Sequence, residues 1–180
     1  RGLLTREAYK EIGGVGGALA QHAEVTLERI GRKRIPLVRE LFRNLVTSQG
    51  TRAVRERDEL LSVFDGESDT MGTRADAEDV VNALVDARLL NSYVQAGQSG
   101  DNQQLLEIVH ESLLIAWPRL VQWRAQEADG AQIRDQLRLA AQLWRERGRS
   151  EDLLWSGTTY RDFVVWRERY PVPLSANECA

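Results

Sequence analysis

Two titratable residues, His110 and Glu111, stand side by side where the pattern of the sequence changes. Before them lies an apolar run with β-branched members, Leu105 to Val109, which favours a short buried strand. From Ser112 onward, apolar residues recur three and four positions apart, which is the spacing of a helical face. We expect the strand to run into the helix without a turn. Titratable groups at such a joint are costly to bury unless they are hydrogen-bonded. The pair is therefore either a functional site or a capped helix start in which the histidine lies in the core with its hydrogen bonds made.

A run of glycines near the start of the chain is the second candidate site. Gly13-Gly-Val-Gly-Gly17 contains Gly14 and Gly16, but it lacks the GxxxxGK[ST] pattern of a phosphate loop and does not follow a strand. By itself it indicates a turn between helices. No serine or cysteine lies in the setting of a nucleophile, and no carboxylate has a histidine partner at a recognisable spacing. The chain alone is therefore predicted not to be an enzyme.

Composition indicates an ordinary globular protein. Of the 180 residues, 42% are hydrophobic and 28% are charged. No apolar run approaches the roughly 20 residues of a membrane span, so no membrane association is expected. The single cysteine, Cys179, excludes an internal disulfide and fits a cytoplasmic location. The chain begins with Arg1 rather than methionine, which indicates a piece of a longer polypeptide.

Charge is distributed unevenly along the chain. Residues 58–111 carry 2 Lys or Arg against 12 Asp or Glu, a balance of −10, whereas residues 1–57 carry 12 against 6. The basic residues of the first segment include Arg34, Arg39 and Arg43, which share one helical face. Duplex DNA is bound by neutralising its phosphates, and an acidic middle segment would oppose this. We therefore expect no specific binding of DNA.

The elements that would position these residues follow a recognisable order. Periodicity predicts a mainly α protein with a small β-hairpin, arranged as a winged helix-turn-helix flanked by helical segments. The predicted elements are helices at 6–12, at 19–30 and from Ile35 to Val46, an edge strand at 51–57, helices at 58–64 and 75–88, and hairpin strands at 90–95 and 103–109. Pro118 predicts a break at Trp117–Pro118, and a polar gap is predicted at Glu127–Gly130 before further helices. The predicted division is 1–33, the end of a helical domain; 34–110, a winged-helix domain; and 111–180, a helical extension.

Several of these segments together resemble one protein family. Gly13-Gly-Val-Gly-Gly-Ala-Leu19, the winged-helix order, EIVHESLLIAWPRLVQW and LRLAAQLWRERG are similar to the novel STAND NTPase family 1. Its members are bacterial signal-transduction ATPases related to apoptotic and plant immune-receptor ATPases. The similarity extends roughly from Leu4 to Trp166, and its most specific part is VHESLL–WPRL. The resemblance implies that this region follows a P-loop domain and regulates it.

The resemblance also implies roles for the candidate residues. In such proteins the winged helix packs on the nucleotide-binding domain, and a histidine in a Met-His-Asp-type motif contacts the β-phosphate of ADP. Val109-His110-Glu111 occupies that place, with Val for Met and Glu for Asp. Gly14 and Gly16 fall in a segment that matches a Gly-Gly-Leu-Pro-Leu-Ala-Leu pattern near adenine, and Gly16 stands at the proline position. An imidazole N–H directed at a phosphate forms a charge-assisted hydrogen bond, which is lost if the winged helix swings away.

Cofactors and partners follow from the same resemblance. ADP or ATP would be bound by the full-length protein, with no nucleotide bound tightly by this region alone. The implied partners are the upstream P-loop domain and a downstream sensor domain, such as an array of repeats, with oligomerisation on activation. The two alternatives from other classes are a winged-helix DNA-binding transcriptional regulator and a helical protein-interaction scaffold.

Overall fold

Helices form most of the described chain, and one small antiparallel sheet interrupts them. In the computed structural model the described residues are 14–65, 72–96, 102–171 and 173–179. The helix predicted over 6–12 therefore lies outside the described residues, as does the centre of the hairpin turn. The helices are, in chain order, α1 (Gly14–Ile30), α2 (Ile35–Asn44), α3 (Arg57–Ser62), α4 (Arg74–Asp86), α5 (Leu113–Ala116), α6 (Pro118–Glu146), α7 (Gly157–Arg169) and α8 (Ala176–Cys179). A mainly helical fold with a small hairpin is confirmed.

The sheet contains the predicted hairpin and one short additional strand. Strands β2 (Leu90–Ala96) and β3 (Asn102–Ile108) pair antiparallel along their whole length, as the alternating pattern predicted. Strand β1 (Arg55–Glu56) pairs with the other edge of β3, so the strand order is β1-β3-β2. The edge strand predicted over 51–57 is thus too long, because only two of its residues join the sheet.

The main hydrophobic core lies between the sheet and the helices that surround it. Helix α2 contributes the face predicted from its four-residue repeat, and Leu37, Val38, Leu41 and Phe42 are all buried. Trp117 is 0% exposed and lies in the same core, with its ring centroid 5.2 Å from that of Phe42. A completely buried tryptophan contributes a large apolar area, so this residue ties the α5–α6 joint to α2.

The helical break at Trp117–Pro118 is confirmed, but the polar gap at Glu127–Gly130 is wrong. Trp117 has an extended backbone before Pro118, since proline disfavours a helical residue in front of it. Helix α6 then continues without interruption through the predicted gap. Gly130 is buried there because Trp166 of α7 packs directly against it. A Cβ at this position would lie 2.6 Å from Nε1 of Trp166. The glycine allows α7 to approach α6 and does not end a helix.

Two further predictions near the candidate site are wrong. Gly16 and Gly17 lie inside α1, although the glycine run predicted a turn. Strand β3 also does not run directly into a helix, because residues 109–112 separate Ile108 from α5. The departure at Gly16 arises from its packing against Ala116, which lies far along the chain.

A second, smaller apolar cluster lies in the carboxyl-terminal part of the chain. Leu137 of α6, Trp166 of α7 and Leu174 are buried together, and Trp155 and Phe163 pack against them. The main core, by comparison, includes residues from α1 through Trp123. The proposed boundaries at 33/34 and 110/111 stay predictions.

Candidate functional site

The segment that carries His110 is a short turn between β3 and α5. The backbone N–H of Val109 still donates to the carbonyl of Leu89, at 3.1 Å, which extends the sheet by one residue. The N–H of Leu113 then donates to the carbonyl of His110, also at 3.1 Å, and starts the helical turn. The guanidinium of Arg52 donates to the carbonyls of Ile108 (2.9 Å) and Val109 (3.3 Å). The backbone before His110 is therefore held from two sides.

The imidazole of His110 is oriented by Ser112. The backbone N–H of Ser112 donates to Nδ1 of His110 at 3.1 Å, and the Ser112 hydroxyl lies 2.7 Å from the same nitrogen. A nitrogen that accepts from a backbone N–H carries no proton of its own, so in the neutral ring the proton is on Nε2. Nε2 has no hydrogen-bond partner among the described residues, and the side chain is exposed. The ring thus presents an N–H donor to the surroundings.

This arrangement corrects the interpretation of His110 as a core residue. The side chain is exposed rather than buried, because β3 has already ended and its last core residue is Ile108. Nδ1 accepts from the N–H of Ser112, the N-cap residue of α5, but Ser112 makes no side-chain capping hydrogen bond to that helix. Glu111 is also exposed, and its carbonyl accepts from the N–H of Leu114 at 3.0 Å.

The amino-terminal end of α1 lies against this same turn. A Cβ on Gly16 would lie 2.8 Å from Cβ of Ala116 and 3.8 Å from Cβ of Ser112, so α1 and α5 touch through Gly16. Gly14, two residues earlier, has φ +68°, a conformation that favours glycine. The structure therefore brings Gly16 to the residue that orients His110, although the two regions are far apart in the sequence.

A charged contact fixes α1 to the α5–α6 joint. Glu24 accepts two parallel hydrogen bonds from Arg119, from Nε at 2.9 Å and from Nη2 at 2.8 Å, and a third from Nε1 of Trp117 at 2.7 Å. These hydrogen bonds, chiefly from Arg119, hold the pKa of Glu24 below its usual value. We call Glu24, Trp117 and Arg119 the α1 clamp. It sets the position of α1 relative to the turn at His110.

Most of the chain matches one known protein family. The family described as Novel STAND NTPase 1 matches residues 1–152. The chain belongs to this family. No curated protein and no solved structure matches the chain.

The match to the Novel STAND NTPase 1 family includes every part of the candidate site. Gly14, Gly16, the α1 clamp, His110 and Glu111 all lie within the matched residues. Helices α7 and α8 lie beyond them, so the second apolar cluster is formed partly by residues outside the family match. The match confirms the family suggested by the VHESLL–WPRL segment.

The basic face of α2 is largely neutralised within this member of the Novel STAND NTPase 1 family. Arg34 pairs with Asp76 at 3.2 Å and with Asp79 at 3.4 Å, both on α4. Arg39 and Arg43 both pair with Glu127 of α6, at 2.8 and 3.1 Å. These three arginines join α2 to its neighbours, and α4 contributes acidic residues at its surface.

Within the described residues, no group of three or more His, Cys, Asp or Glu side chains could hold a metal ion. No described helix is both long enough and apolar enough to cross a bilayer.

The α1 clamp was missed by sequence reasoning, because its partners Glu24 and Arg119 are 95 positions apart. The one sequence feature that could have indicated the α1 clamp is the position of Glu24, a carboxylate directly after the predicted core residue Ala23.

Proposed function

We propose that this chain is the regulatory, nucleotide-state-sensing region of a STAND-type signal-transduction ATPase. The observation that carries the proposal is the turn at His110, where Ser112 occupies Nδ1 and leaves the Nε2–H donor exposed. A phosphate of ADP, held by the upstream P-loop domain, would accept from that donor. Charge-assisted hydrogen bonds of this kind are strong and directional, so the contact would favour the ADP-bound resting form.

We assign residues 34–110 to a winged helix within this region. The order α2, β1, α3, α4, β2, β3 is the succession of helices and strands in such a domain, and it supports the assignment. The winged helix would dock on the P-loop domain and not on DNA. The pairing of Arg34 with Asp76 and Asp79 supports this choice, because the helix in the recognition position presents carboxylates.

The glycines of α1 have a supporting role in this proposal. Gly16 lets α1 pack on α5, and the α1 clamp then holds α1 beside the turn at His110. Gly14 and Gly16 would lie near the bound nucleotide, with Glu111 next to the phosphate contact. The protein groups nearest the phosphate would come from α1 and from the turn before α5. A movement of α1 and α5 together, away from the P-loop domain, would therefore break the contact between His110 and the phosphate.

Catalysis, in this scheme, belongs to the P-loop domain of the full-length protein and not to this region. ADP or ATP is the cofactor of the complete ATPase, which would act in the cytoplasm. A downstream sensor domain would control when the winged helix leaves the nucleotide. Oligomerisation would follow that release.

The proposed docking can be tested with separate polypeptides. The 180-residue chain is titrated into the purified upstream P-loop domain in the presence of ADP, of a non-hydrolysable ATP analogue, or of no nucleotide. We expect the tightest binding with ADP, and His110→Ala should remove that preference. Equal affinity in all three conditions would contradict a nucleotide-sensing role, whereas specific duplex binding by the chain would favour a DNA-binding regulator.

A further inference from the structure

A cavity of about 340 Å³ lies between the end of α2, the turn that follows it and the middle of α6. Its size is at the lower end of the range for small-molecule sites. Four arginines and two acidic residues line it, and Glu40 and Glu178 pair with three of those arginines from outside the lining. The charged lining residues are Arg43, Arg124, Arg134, Arg138, Glu127 and Asp135. This cavity is separate from the turn at His110, and none of the residues of that turn lines it.

Arg134 is the most unusual member of the lining. It is only 3% exposed, and its Nη2 donates to Oε1 of Glu40 and to the carbonyl of Pro173, both at 2.9 Å. Its Nε and Nη1 are buried and have no hydrogen-bond partner among the described residues. Buried donors of a charged group are normally satisfied, because desolvation without a partner is unfavourable. Two unsatisfied donors on one buried guanidinium therefore indicate a missing acceptor.

The nearby carboxylates are already engaged by other donors. Oε1 of Glu40 also accepts from Asn44 at 2.9 Å, and its Oε2 accepts from Arg43 at 3.2 Å. Asp135 accepts from the backbone N–H of Ser48 at 2.6 Å. The described acidic groups thus leave Nε and Nη1 of Arg134 without an acceptor.

The second buried arginine of the cavity, Arg138, is repelled by Arg134. Its Nε pairs with Glu178 at 3.1 Å, yet its pKa is lowered to about 10. Burial is the main cause, and repulsion by Arg134 is the next. A further anion in the cavity would relieve the repulsion between these two guanidinium groups.

We propose that the cavity is a binding site for a phosphate-class oxyanion, held chiefly by Arg134 with Arg124 and Arg138. The two unsatisfied donors of Arg134 need an acceptor, and guanidinium groups suit the geometry of phosphate oxygens. Free phosphate and the phosphate group of a nucleotide share this chemistry. His110 does not line this site, so the proposal does not depend on the proposed nucleotide sensing.

Ala128 allows the site to be tested without removing any arginine. It lies on the exposed side of α6 and lines the cavity, and glutamate there would place a carboxylate at the cavity mouth. We expect inorganic phosphate to bind the 180-residue chain saturably in calorimetry at constant ionic strength. Ala128→Glu should weaken that binding about tenfold or more, because the new carboxylate repels the anion and competes for the guanidiniums. Ala128→Gln, which has nearly the same volume, should change it less than about twofold.

Two further measurements complete the test. Gln126→Glu adds the same charge to an exposed position of α6 outside the cavity lining, and it should leave phosphate binding nearly unchanged. Displacement of phosphate by ADP would identify a nucleotide phosphate as the ligand, and no displacement would identify the free anion. Equal binding of acetate, equal effects of Ala128→Glu and Ala128→Gln, or no saturable binding would overturn the proposal.

Discussion

Glu24 and Arg119 form a two-point ion pair that joins the middle of α1 to the first turn of α6. The Nε–Oε1 distance is 2.9 Å and the Nη2–Oε2 distance is 2.8 Å, while Trp117 donates to the same carboxylate. Two-point arginine–carboxylate contacts fix orientation as well as distance. The α1 clamp is therefore the contact that fixes the position of α1 relative to the turn at His110.

Substitution of Glu24 should separate the contributions of its two partners. Glu24→Gln can still accept from the buried Trp117 N–H but loses the ion pair, and we expect a loss of about 0.5–1 kcal/mol in unfolding free energy, since both charged side chains are partly solvent-screened. Glu24→Ala should cost about 1–3 kcal/mol more, because it leaves that N–H without an acceptor. Urea denaturation of both variants measures the difference. Equal losses of unfolding free energy in the two variants would show that the indole N–H of Trp117 does not need Glu24 as its acceptor.

The same carboxylate should give a pH-dependent contribution to stability. Because Arg119 lowers the pKa of Glu24 in the folded protein, the contribution is present above the ordinary glutamate pKa of about 4.3. It is lost as the pH falls through the lowered folded pKa. The stability difference between the original chain and Glu24→Gln should therefore be constant near neutral pH and shrink under acidic conditions. A difference that grows on acidification would contradict the assigned ion pair.

Gly16 should be required for close packing of α1 on α5. Gly16→Ala improves helix propensity by about 1 kcal/mol, but its methyl group would meet Cβ of Ala116, and overpacking typically costs about 1–3 kcal/mol. We expect a net loss of stability that Ala116→Gly partly restores in the double variant. Thermal unfolding of the two single variants and the double variant gives the coupling between the positions. Strictly additive effects would mean that the two residues do not touch.

Duplex DNA should not be a specific ligand. Since Arg34, Arg39 and Arg43 are engaged in ion pairs, they have little capacity to neutralise phosphates. In a fluorescence-anisotropy titration at physiological salt, we expect dissociation constants no tighter than about 10⁻⁶ M, the range of non-specific binding. Affinity near 10⁻⁸ M that is abolished by charge reversal at these arginines would favour a DNA-binding regulator instead.

Local patterns predicted much of the fold because they report interactions between neighbours in the chain. The alternation at 90–109 predicted the hairpin, the repeat in α2 predicted its buried face, and Pro118 predicted the break before α6. Each of these features depends on backbone geometry or on a single buried face.

The errors concern residues whose role depends on distant partners. Gly130 suggested a gap, but it makes room for Trp166, and Gly16 suggested a turn, but it makes room for Ala116. The exposure of His110 and its hydrogen bond to Ser112 follow from the fold and have no signal in the local sequence. A glycine in a helix has the same local pattern whether it ends the helix or packs against another one.

The central claim is that Nε2–H of His110 stabilises the ADP-bound form, and the rate of ADP release from the full-length protein tests it most directly. His110→Ala removes both ring nitrogens. His110→Asn removes the Nε2–H donor but keeps an acceptor that can receive the Ser112 N–H, as asparagine does in turns. The second variant therefore serves as the control for local structure.

Both variants should release ADP about ten- to hundredfold faster, the effect of losing a hydrogen bond to a charged group worth roughly 1.5–3 kcal/mol. His110→Asn should melt at nearly the same temperature as the original protein, while His110→Ala should melt slightly lower because the turn loses the hydrogen bond from the Ser112 N–H. Unchanged ADP release in both variants, with a lower melting temperature for His110→Ala, would contradict the account and leave His110 as a residue that only supports the turn.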